Sequence, residues 1–170
     1  MINRKSMMGL MPLGLCMVLL VGCGGGSDST TTLTPTTPGD VTTSLVGIWN
    51  TGCVKDTVLD IWYIQNLKFN SDNTGLSDYS EYSGAGCNTA DEIVTESKPF
   101  NYTVGNETTA ADGEPAVNLD LGFSGDVYYT MVRFIDADSL YIAEESSSKD
   151  GLTPATRAND FSTSPAFIRQ

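Results

Sequence analysis

Apolar and polar residues alternate most regularly between Val117 and Phe123, where Asn118, Asp120 and Gly122 separate the apolar positions. This period of two predicts a β-strand with one buried face. Residues 126–135 predict a longer strand with two largely apolar faces, one formed by Val127, Tyr129, Met131, Arg133 and Ile135 and the other by Tyr128, Thr130, Val132 and Phe134. Asp136-Ala137-Asp138 then predicts a tight turn into a strand at 140–144, which completes an antiparallel hairpin.

Short runs of β-branched and aromatic residues recur through residues 44–170 between Gly, Asn, Asp and Pro turn signals, and long stretches of helical periodicity are absent. They predict further strands at 46–54, 59–69, 76–83, 100–104 and 166–169. About eight antiparallel strands in one domain of this size are typical of a small closed barrel, which leaves no sheet edge exposed. We therefore expect an all-β fold with a single antiparallel barrel of about eight strands, and a two-sheet β-sandwich is the alternative.

The first 22 residues have the three parts of an export signal. Arg4 and Lys5 supply positive charge, an apolar stretch runs from Met7 to Val21, and Gly22 is a small residue at the cleavage position. The apolar stretch is shorter than the roughly 20 residues that a transmembrane helix needs. The pattern therefore favours a signal peptide at 1–22 over a permanent anchor.

The segment Leu20-Val21-Gly22-Cys23 resembles the lipobox of bacterial lipoproteins. In that class the cysteine is acylated and the signal is cut just before it. The resemblance implies that Cys23 is the lipidated first residue of the mature protein and that several acyl chains hold it in the membrane. Cys16 does not fit the pattern, because the large residue Leu15 precedes it. A chance cysteine behind an ordinary signal peptide is the alternative.

Residues 23–43 predict the lipidated cysteine and a tether, in which three glycines precede a threonine run broken by Pro35 and Pro38. Such a segment has little to bury, so we expect a semi-flexible stalk that holds the domain at 44–170 off the membrane. In enteric lipoproteins, an aspartate after the acylated cysteine is an inner-membrane retention signal. Gly24 stands at that position, so the resemblance implies the outer membrane rather than the inner one.

Acidic residues dominate the charge of the mature chain. Cleavage before Cys23 removes Arg4 and Lys5 but no acidic residue, which leaves seven basic residues against 21 acidic ones and a formal charge of −14. This excess argues against nucleic acid as a partner, because phosphates need basic side chains to neutralise them. It also disfavours docking on anionic lipid. A solvated surface that keeps an exported protein soluble is the main interpretation, and cation binding is the alternative.

Once Cys23 carries lipid, Cys53 and Cys87 are left as an even pair, which an oxidising compartment favours as a disulfide. In the chain-entropy account, closing a loop of about 34 residues stabilises a fold by roughly 3 to 4 kcal/mol. Two free thiols are the alternative. Redox catalysis is disfavoured, because the chain has no Cys-x-x-Cys motif.

Leu45-Val46-Gly47-Ile48-Trp49, at the start of the domain, resembles the Gly-x-Trp opening of lipocalins. Residues 69–75 are similar to a hairpin turn of such domains, and residues 138–142 with 167–169 are similar to the end of bacterial lipocalin-like proteins. The resemblance implies a barrel that binds a small, apolar molecule and in which Trp49 plugs the closed end. It also implies that an arginine, Arg169 or Arg157, crosses Trp49 in a structural cation–π contact.

The chain contains no histidine, which excludes Ser-His-Asp and Cys-His triads and histidine-ligated zinc. Carboxylate pairs of the kind used in glycoside hydrolysis remain conceivable, and Glu144-Glu145, Asp91-Glu92 and Asp136 with Asp138 are candidates only because acidic residues are abundant. Adjacent residues of a strand point to opposite faces, so the first two pairs are poorly placed to act together. We expect no enzyme activity and no cofactor.

Residues 70–81 match the oxygen-ligand spacing of a calcium loop, with Asp72 at position 3 and Gly75 at the glycine position. However, Asn70 occupies position 1, and strand-like runs rather than helices flank the segment. A plain hairpin turn, in which Gly75 supplies a positive φ, explains the same residues without a metal. We therefore expect the turn and no metal site.

Two classes of function remain. In the first, the barrel binds or presents a small, apolar ligand, and aromatic residues line its cavity or mouth unless they pack in the core. The candidates are Tyr79, Tyr82, Tyr128, Tyr129, Tyr141 and Trp62. In the second, the domain is a non-catalytic interaction protein of the envelope, such as an inhibitor, adhesin or assembly component, that acts through loops or its acidic surface. The discriminator is cavity volume: an open apolar interior of roughly several hundred Å³ supports a ligand inside the barrel, and an interior filled by side chains excludes one.

Overall fold

The computed structural model describes residues 38–170, and the structural statements below concern that range. Helix α1 and nine strands follow one another as α1 (Pro38–Leu45), β1 (Gly47–Asn50), β2 (Val54–Asp56), β3 (Ile61–Phe69), β4 (Thr74–Tyr82), β5 (Glu92–Thr109), β6 (Pro115–Phe123), β7 (Asp126–Phe134), β8 (Ser139–Ile142) and β9 (Ala166–Arg169). Short 3-10 helices cover Thr89–Asp91 and Pro154–Thr156. Within this part of the chain, no helix has the length and apolar character needed to cross a membrane.

Eight of the strands form a closed antiparallel barrel in the order β1-β9-β8-β7-β6-β5-β4-β3, and the pairing of β1 with β3 closes it. The barrel prediction is therefore confirmed, and the sandwich alternative is wrong. β2 is the additional strand and pairs with the first part of β3. Trp49 of β1 pairs with Leu67 of β3, and Val54 of β2 pairs with Tyr63 of β3. The chain thus advances five residues from Trp49 to Val54, whereas β3 advances only four over the same distance. The strand predicted at 46–54 is thus interrupted by a bulge, where Gly52 has a φ of +65°.

The strand connections define two ends of the barrel. The helix end carries α1 and the connections at 70–73, 110–114 and 135–138, and the loop end carries the connections at 57–60, 83–91, 124–125 and 143–165. Each sheet neighbour is antiparallel, so successive connections alternate between the two ends.

Helix α1 packs into the helix end of the barrel. Its Val41 and Leu45, which are four residues apart and so share one helix face, are fully buried in the main core cluster. Pro38 opens the helix and Asp40 lies in its first turn, which are both favourable at a helix N-terminus. The tether predicted at 23–43 therefore ends earlier than its composition indicates, because residues 38–43 are helical and Val41 packs in the core.

The barrel interior is filled by alternate residues of the strands. Together with two residues of α1 they form the main core cluster, whose buried members are Val41, Leu45, Trp49, Leu67, Phe69, Phe100, Tyr102, Val117, Leu119, Leu121, Val132, Phe134, Leu140 and Phe167. Val117, Leu119 and Leu121 are the residues whose period of two predicted the buried face of β6. The sequence pattern therefore identified the inward face of this strand correctly.

A second apolar cluster lies on the outward face of β6, β7 and β8 beneath the loop at 143–165. Ala110, Ala116, Met131, Ala143 and Phe161 are its buried members. Phe161 comes from this loop, and the guanidinium of Arg133 lies 4.3 Å from its ring centroid. The loop thus explains why β7 has two apolar faces, since one faces the barrel interior and this segment covers much of the other.

Candidate functional site

Trp49 closes the helix end, as the lipocalin resemblance implied. Its side chain is fully buried, and its indole Nε1 donates a hydrogen bond to the backbone oxygen of Leu45 at 2.7 Å. The guanidinium of Arg169 lies 4.2 Å from the ring centroid. The same guanidinium donates to the backbone oxygens of Val46 at 2.9 Å and Ser44 at 2.6 Å. The arginine over Trp49 is therefore Arg169, and it joins the ring to the segment between α1 and β1.

Gly47 is required by the same arrangement. Its φ is +145°, and a Cβ atom at this position would lie 2.7 Å from Nη1 of Arg169. A side chain here would strain the backbone and displace the guanidinium from Trp49. Gly47 and Trp49 therefore form a structural closure of the barrel.

Arg157, the other arginine considered for Trp49, lies elsewhere. Its guanidinium forms an ion pair with Asp120 and donates to the backbone oxygen of Thr130 at 2.8 Å. The same group lies 5.4 Å from the ring centroid of Tyr129. Arg157 thus fastens the loop at 143–165 to the outward face of β6 and β7.

The candidate calcium loop is a hairpin turn between β3 and β4. Asp72 Oδ1 accepts hydrogen bonds from the backbone N–H of Thr74 at 3.1 Å and from its hydroxyl at 2.6 Å, and these bonds lower the pKa of Asp72. The residue with positive φ is Asn73, at +64°, so the expectation that Gly75 supplies it is wrong. Gly75 is needed for space, because a Cβ atom there would lie 2.2 Å from the ring of Phe100.

Cys53 and Cys87 form a disulfide with a Cα–Cα distance of 5.7 Å, as predicted. Cys53 lies in the bulge between β1 and β2, and Cys87 lies in the connection at 83–91. The bond therefore ties two segments of the loop end together.

The inward side of β3, β4 and β5 changes character from the helix end to the loop end. Directly paired residues share a face, and Leu67 and Phe69 place this face in the core. Four rows follow one another toward the loop end: Phe69 with Gly75 and Phe100, Leu67 with Ser77 and Lys98, Gln65 with Tyr79 and Glu96, and Tyr63 with Glu81 and Val94. In the last two rows, tyrosine, amide and carboxylate groups replace the apolar core. The inward surface formed by these two rows and the neighbouring Lys98 is called the mouth face.

Two tyrosines dominate the mouth face. The rings of Tyr63 and Tyr79 are 5.6 Å apart between centroids and inclined by 30°, and both side chains are half-buried. Lys98, on the same face, forms an ion pair with Glu96. The site therefore combines aromatic area with hydroxyl, amide and charged groups.

Tyr128 lies across the barrel on the inward side of β7, where it is paired with Leu121. The loop at 143–165 packs against it, since a Cβ atom at Gly151 would lie 2.4 Å from the Tyr128 ring. Burial raises the pKa of the Tyr128 hydroxyl, and the carboxylates of Glu145 and Glu144 raise it further.

Of the aromatic residues proposed from the sequence, only Tyr79 and Tyr128 lie on the inward side. Tyr82, Tyr129, Tyr141 and Trp62 occupy the opposite face of their strands. Tyr63 was missed, although it lies in step with Leu67 and Phe69 at a spacing of two. Continuing the strand period back from those core residues identifies it.

The core fills the interior beneath the mouth face. The rings of Phe100 and Phe123 are 5.6 Å apart between centroids, and Phe69 meets Phe100 edge to face at 5.4 Å. A small cavity of about 20 Å³ lies instead beside Val41 of α1, between Val117 and Phe134. It has room for a single water molecule.

The loop end is strongly acidic. It carries eleven carboxylates against three lysines and one arginine, a net formal charge of −7, from Lys55, Asp56, Asp60, Glu81, Asp91, Glu92, Glu96, Lys98, Asp126, Glu144, Glu145, Lys149, Asp150, Arg157 and Asp160. Across residues 38–170, these and the other carboxylates and cysteines form no group of three or more arranged to hold a metal ion. Asp136 and Asp138 lie at the opposite end, where Asp136 accepts from the Asp138 N–H at 2.8 Å and Asp138 lies 3.6 Å from Arg169.

Comparisons with protein-family models, with curated proteins and with solved structures find no match to this chain. The closed eight-stranded barrel is nevertheless consistent with a lipocalin-like architecture. Cys23, the residue on which the lipobox resemblance depends, lies outside the described residues.

Proposed function

We propose that this protein is a lipid-anchored binding protein of the bacterial cell envelope whose barrel binds a small, apolar ligand at its loop end. The observation that carries the proposal is the mouth face, where half-buried Tyr63 and Tyr79 lie beside Gln65 above an apolar core. Aromatic walls with a few polar groups are the usual lining of a small-molecule site. The proposed activity is binding, without catalysis.

The packed core excludes a ligand enclosed within the barrel, so the proposal is confined to binding on the surface of the mouth face. Phe69, Phe100 and Phe123 occupy the interior directly beneath it. A ligand would therefore lie across the mouth face, with one apolar side against the tyrosines. This geometry suits a compact molecule or a short alkyl chain rather than a long one buried along the barrel axis.

The charge of the loop end suggests the polarity of the ligand. Eleven carboxylates against four basic residues repel an anion, and aromatic rings attract a cation through their faces. The proposed ligand is thus a mainly apolar molecule whose head group is neutral or positively charged. A fatty acid, whose head group is an anion, does not fit.

Titration calorimetry with octyltrimethylammonium and octanoate tests this proposal on the full chain in phosphatidylcholine nanodiscs, with empty nanodiscs as the reference. Both probes contain an eight-carbon chain, and they differ in the sign of the charge on the head group. We expect the cation to bind at least about tenfold more tightly, a difference of roughly 1.4 kcal/mol. Tyr63→Ala and Tyr79→Ala should each abolish or weaken the binding.

The matched control is Trp62→Ala, which removes an aromatic side chain from the other face of β3. It should leave the affinity for octyltrimethylammonium unchanged. Binding that is equally strong in all three variants would show that the probe binds elsewhere, and absence of binding to either probe would reject the ligand proposal.

The membrane anchor is the second part of the proposal, and its support is the lipobox-like sequence that ends at Cys23. Acylation there would retain the protein in the membrane, and Gly24 favours the outer membrane over the inner one. Detergent phase partitioning tests this directly. Cys23→Ser should move the protein out of the detergent phase, whereas Cys16→Ser should leave it there; an unchanged distribution in Cys23→Ser would disprove the anchor.

A second candidate function is that of a non-catalytic interaction protein. It is favoured by exposed apolar side chains around the loop end, above all Val58 at 90% and Leu152 at 70% exposure. The titration above distinguishes the two, because a protein-binding surface built on Val58 and Leu152 has no need of Tyr63 and Tyr79.

A further inference from the structure

β5 is twice as long as most strands of the barrel, and its first half has a neighbour on one side only. β4 pairs with residues 92–101 of β5, and β6 pairs with residues 101–109. Among the described residues, no backbone hydrogen bond outside the β4 ladder involves residues 92–100. This segment is therefore an open sheet edge in an otherwise closed barrel.

The alternation of the strand determines which backbone groups lie on that edge. The N–H of Tyr102 donates to the oxygen of Asn73 at 2.8 Å, on the β4 side. The backbone groups of odd-numbered residues therefore point away from β4. This places the N–H and C=O groups of Thr95 and Ser97 on the open edge. Pro99 lies there too, and it has no N–H to leave unpaired.

An edge of this kind is a template for another strand. The side chains of Ile93, Val94, Thr95, Glu96 and Ser97 are exposed. Glu96 and Lys98 are oppositely charged, lie on the same face and form an ion pair with each other. A strand that pairs with this edge must therefore present complementary charges on that face.

A second copy of the same edge meets this condition in one antiparallel register. If the two-fold axis passes through Glu96, that carboxylate lies opposite itself, and if it passes through Lys98, two ammonium groups oppose each other. Like charges directly opposite destabilise a strand pair. With the axis at Ser97, Glu96 of each copy lies opposite Lys98 of the other.

The register centred on Ser97 also fits the available length. It pairs residues 94–100 of one copy with the same residues of the other and stops before Asn101, which is already paired with Gly122 of β6. The bulge at Ile93 ends the regular ladder on the other side. Both edge N–H groups, those of Thr95 and Ser97, find an acceptor in this register.

We propose that two copies of this protein associate through antiparallel pairing of residues 94–100, with Ser97 opposite Ser97 and Glu96 opposite Lys98. The two Ser97 residues exchange backbone hydrogen bonds, and Thr95 of each copy donates to the backbone oxygen of Pro99 in the other. The pairing joins the β3–β5 sheets of two barrels into one continuous sheet. It does not depend on the ligand proposed above.

The test uses the full chain in mild detergent, with native mass spectrometry and sedimentation to measure the dimer. Glu96→Lys and Lys98→Glu should each weaken association by about tenfold, because both cross-strand pairs become repulsive. The double exchange of Glu96→Lys with Lys98→Glu should restore it to near the original strength. Damage to folding would not be repaired by the second substitution.

Cysteine cross-linking tests the position of the axis. Ser97→Cys should form a disulfide-linked dimer under mild oxidation, since Cα atoms of a hydrogen-bonded strand pair are about 5.5 Å apart. Ser71→Cys, in the exposed turn between β3 and β4, is the control and should cross-link no more than the unchanged chain. A monomer at concentrations up to about 100 µM, no restoration in the double exchange, or equal cross-linking at residues 71 and 97 would each overturn the proposal.

Discussion

The two ends of the barrel are held together by different means. At the helix end, buried Trp49 is fastened by Leu45 and by Arg169, whose guanidinium spans α1 and β1. At the loop end, a covalent bond joins Cys53 and Cys87, and half-buried tyrosines replace the close-packed core. The difference shows that specific side-chain packing closes one end, whereas a covalent bond stabilises the other and leaves its polar, aromatic inward surface less tightly packed.

The largest expected effect follows from emptying the closed end. Trp49→Ala removes a fully buried ring, its hydrogen bond to Leu45 and its contact with Arg169. We expect the free energy of unfolding in urea to fall by about 3 to 5 kcal/mol. Trp62→Ala, on a half-buried outward position of β3, should cost clearly less; similar losses would mean that the two ends contribute alike.

The disulfide is the corresponding test of the loop end. Replacing Cys53 and Cys87 by serine should reduce stability by roughly 3 to 4 kcal/mol in the chain-entropy account. Hydrogen exchange should accelerate first at residues 51–60 and 83–91, while the amides of β1 and β9 near Trp49 stay protected. Uniform loss of protection would contradict the separation of the two ends.

Gly47→Ala probes the closure without emptying the core. The new Cβ atom meets Nη1 of Arg169, and the φ of +145° is strained for alanine. A loss of about 1 to 3 kcal/mol is expected. Gly122→Ala is the control, because its Cβ atom would have ordinary contact at 3.6 Å from the Asn101 oxygen.

The smallest effect concerns the surface ion pair between Asp112 and Arg133. Oδ2 of Asp112 lies 2.7 Å from Nη1 of Arg133. Hydrogen bonds from Arg133 lower the pKa of Asp112 to about 2. A depressed folded-state pKa contributes stability that is present above the unfolded value near 4 and is lost as the pH falls toward 2. Thermal unfolding of the unchanged chain and Asp112→Asn should therefore converge over that interval; a constant difference would rule out this linkage.

The sequence predicted the fold best where one face of a strand is buried. The buried face of β6 was predicted correctly because Val117, Leu119 and Leu121 alternate with polar residues. Residues 92–99 of β5 were missed, since they are largely exposed and their apolar and polar residues do not alternate. Their strand conformation is determined by pairing with β4, which local sequence does not encode.

The candidate site was only partly predictable for a similar reason. Gly47 and Trp49 stood out as a motif, and the cysteine pair followed from counting. The mouth face depends on the register between β3, β4 and β5, which brings Tyr63 and Tyr79 together from opposite sides of a turn. Asn73 and Gly75 show the same limit, because steric contact with Phe100, rather than turn geometry, explains the glycine.

The contact between Arg169 and Trp49 also determines when the barrel can be completed. β1 and β9 are the first and last strands of the domain, and Trp49 pairs with Arg169 across nearly its whole length. During synthesis from the N-terminus, the barrel therefore cannot close until residues 166–169 have been made. Until then β1 lacks its partner β9, so the barrel stays open although most of its strands are already present.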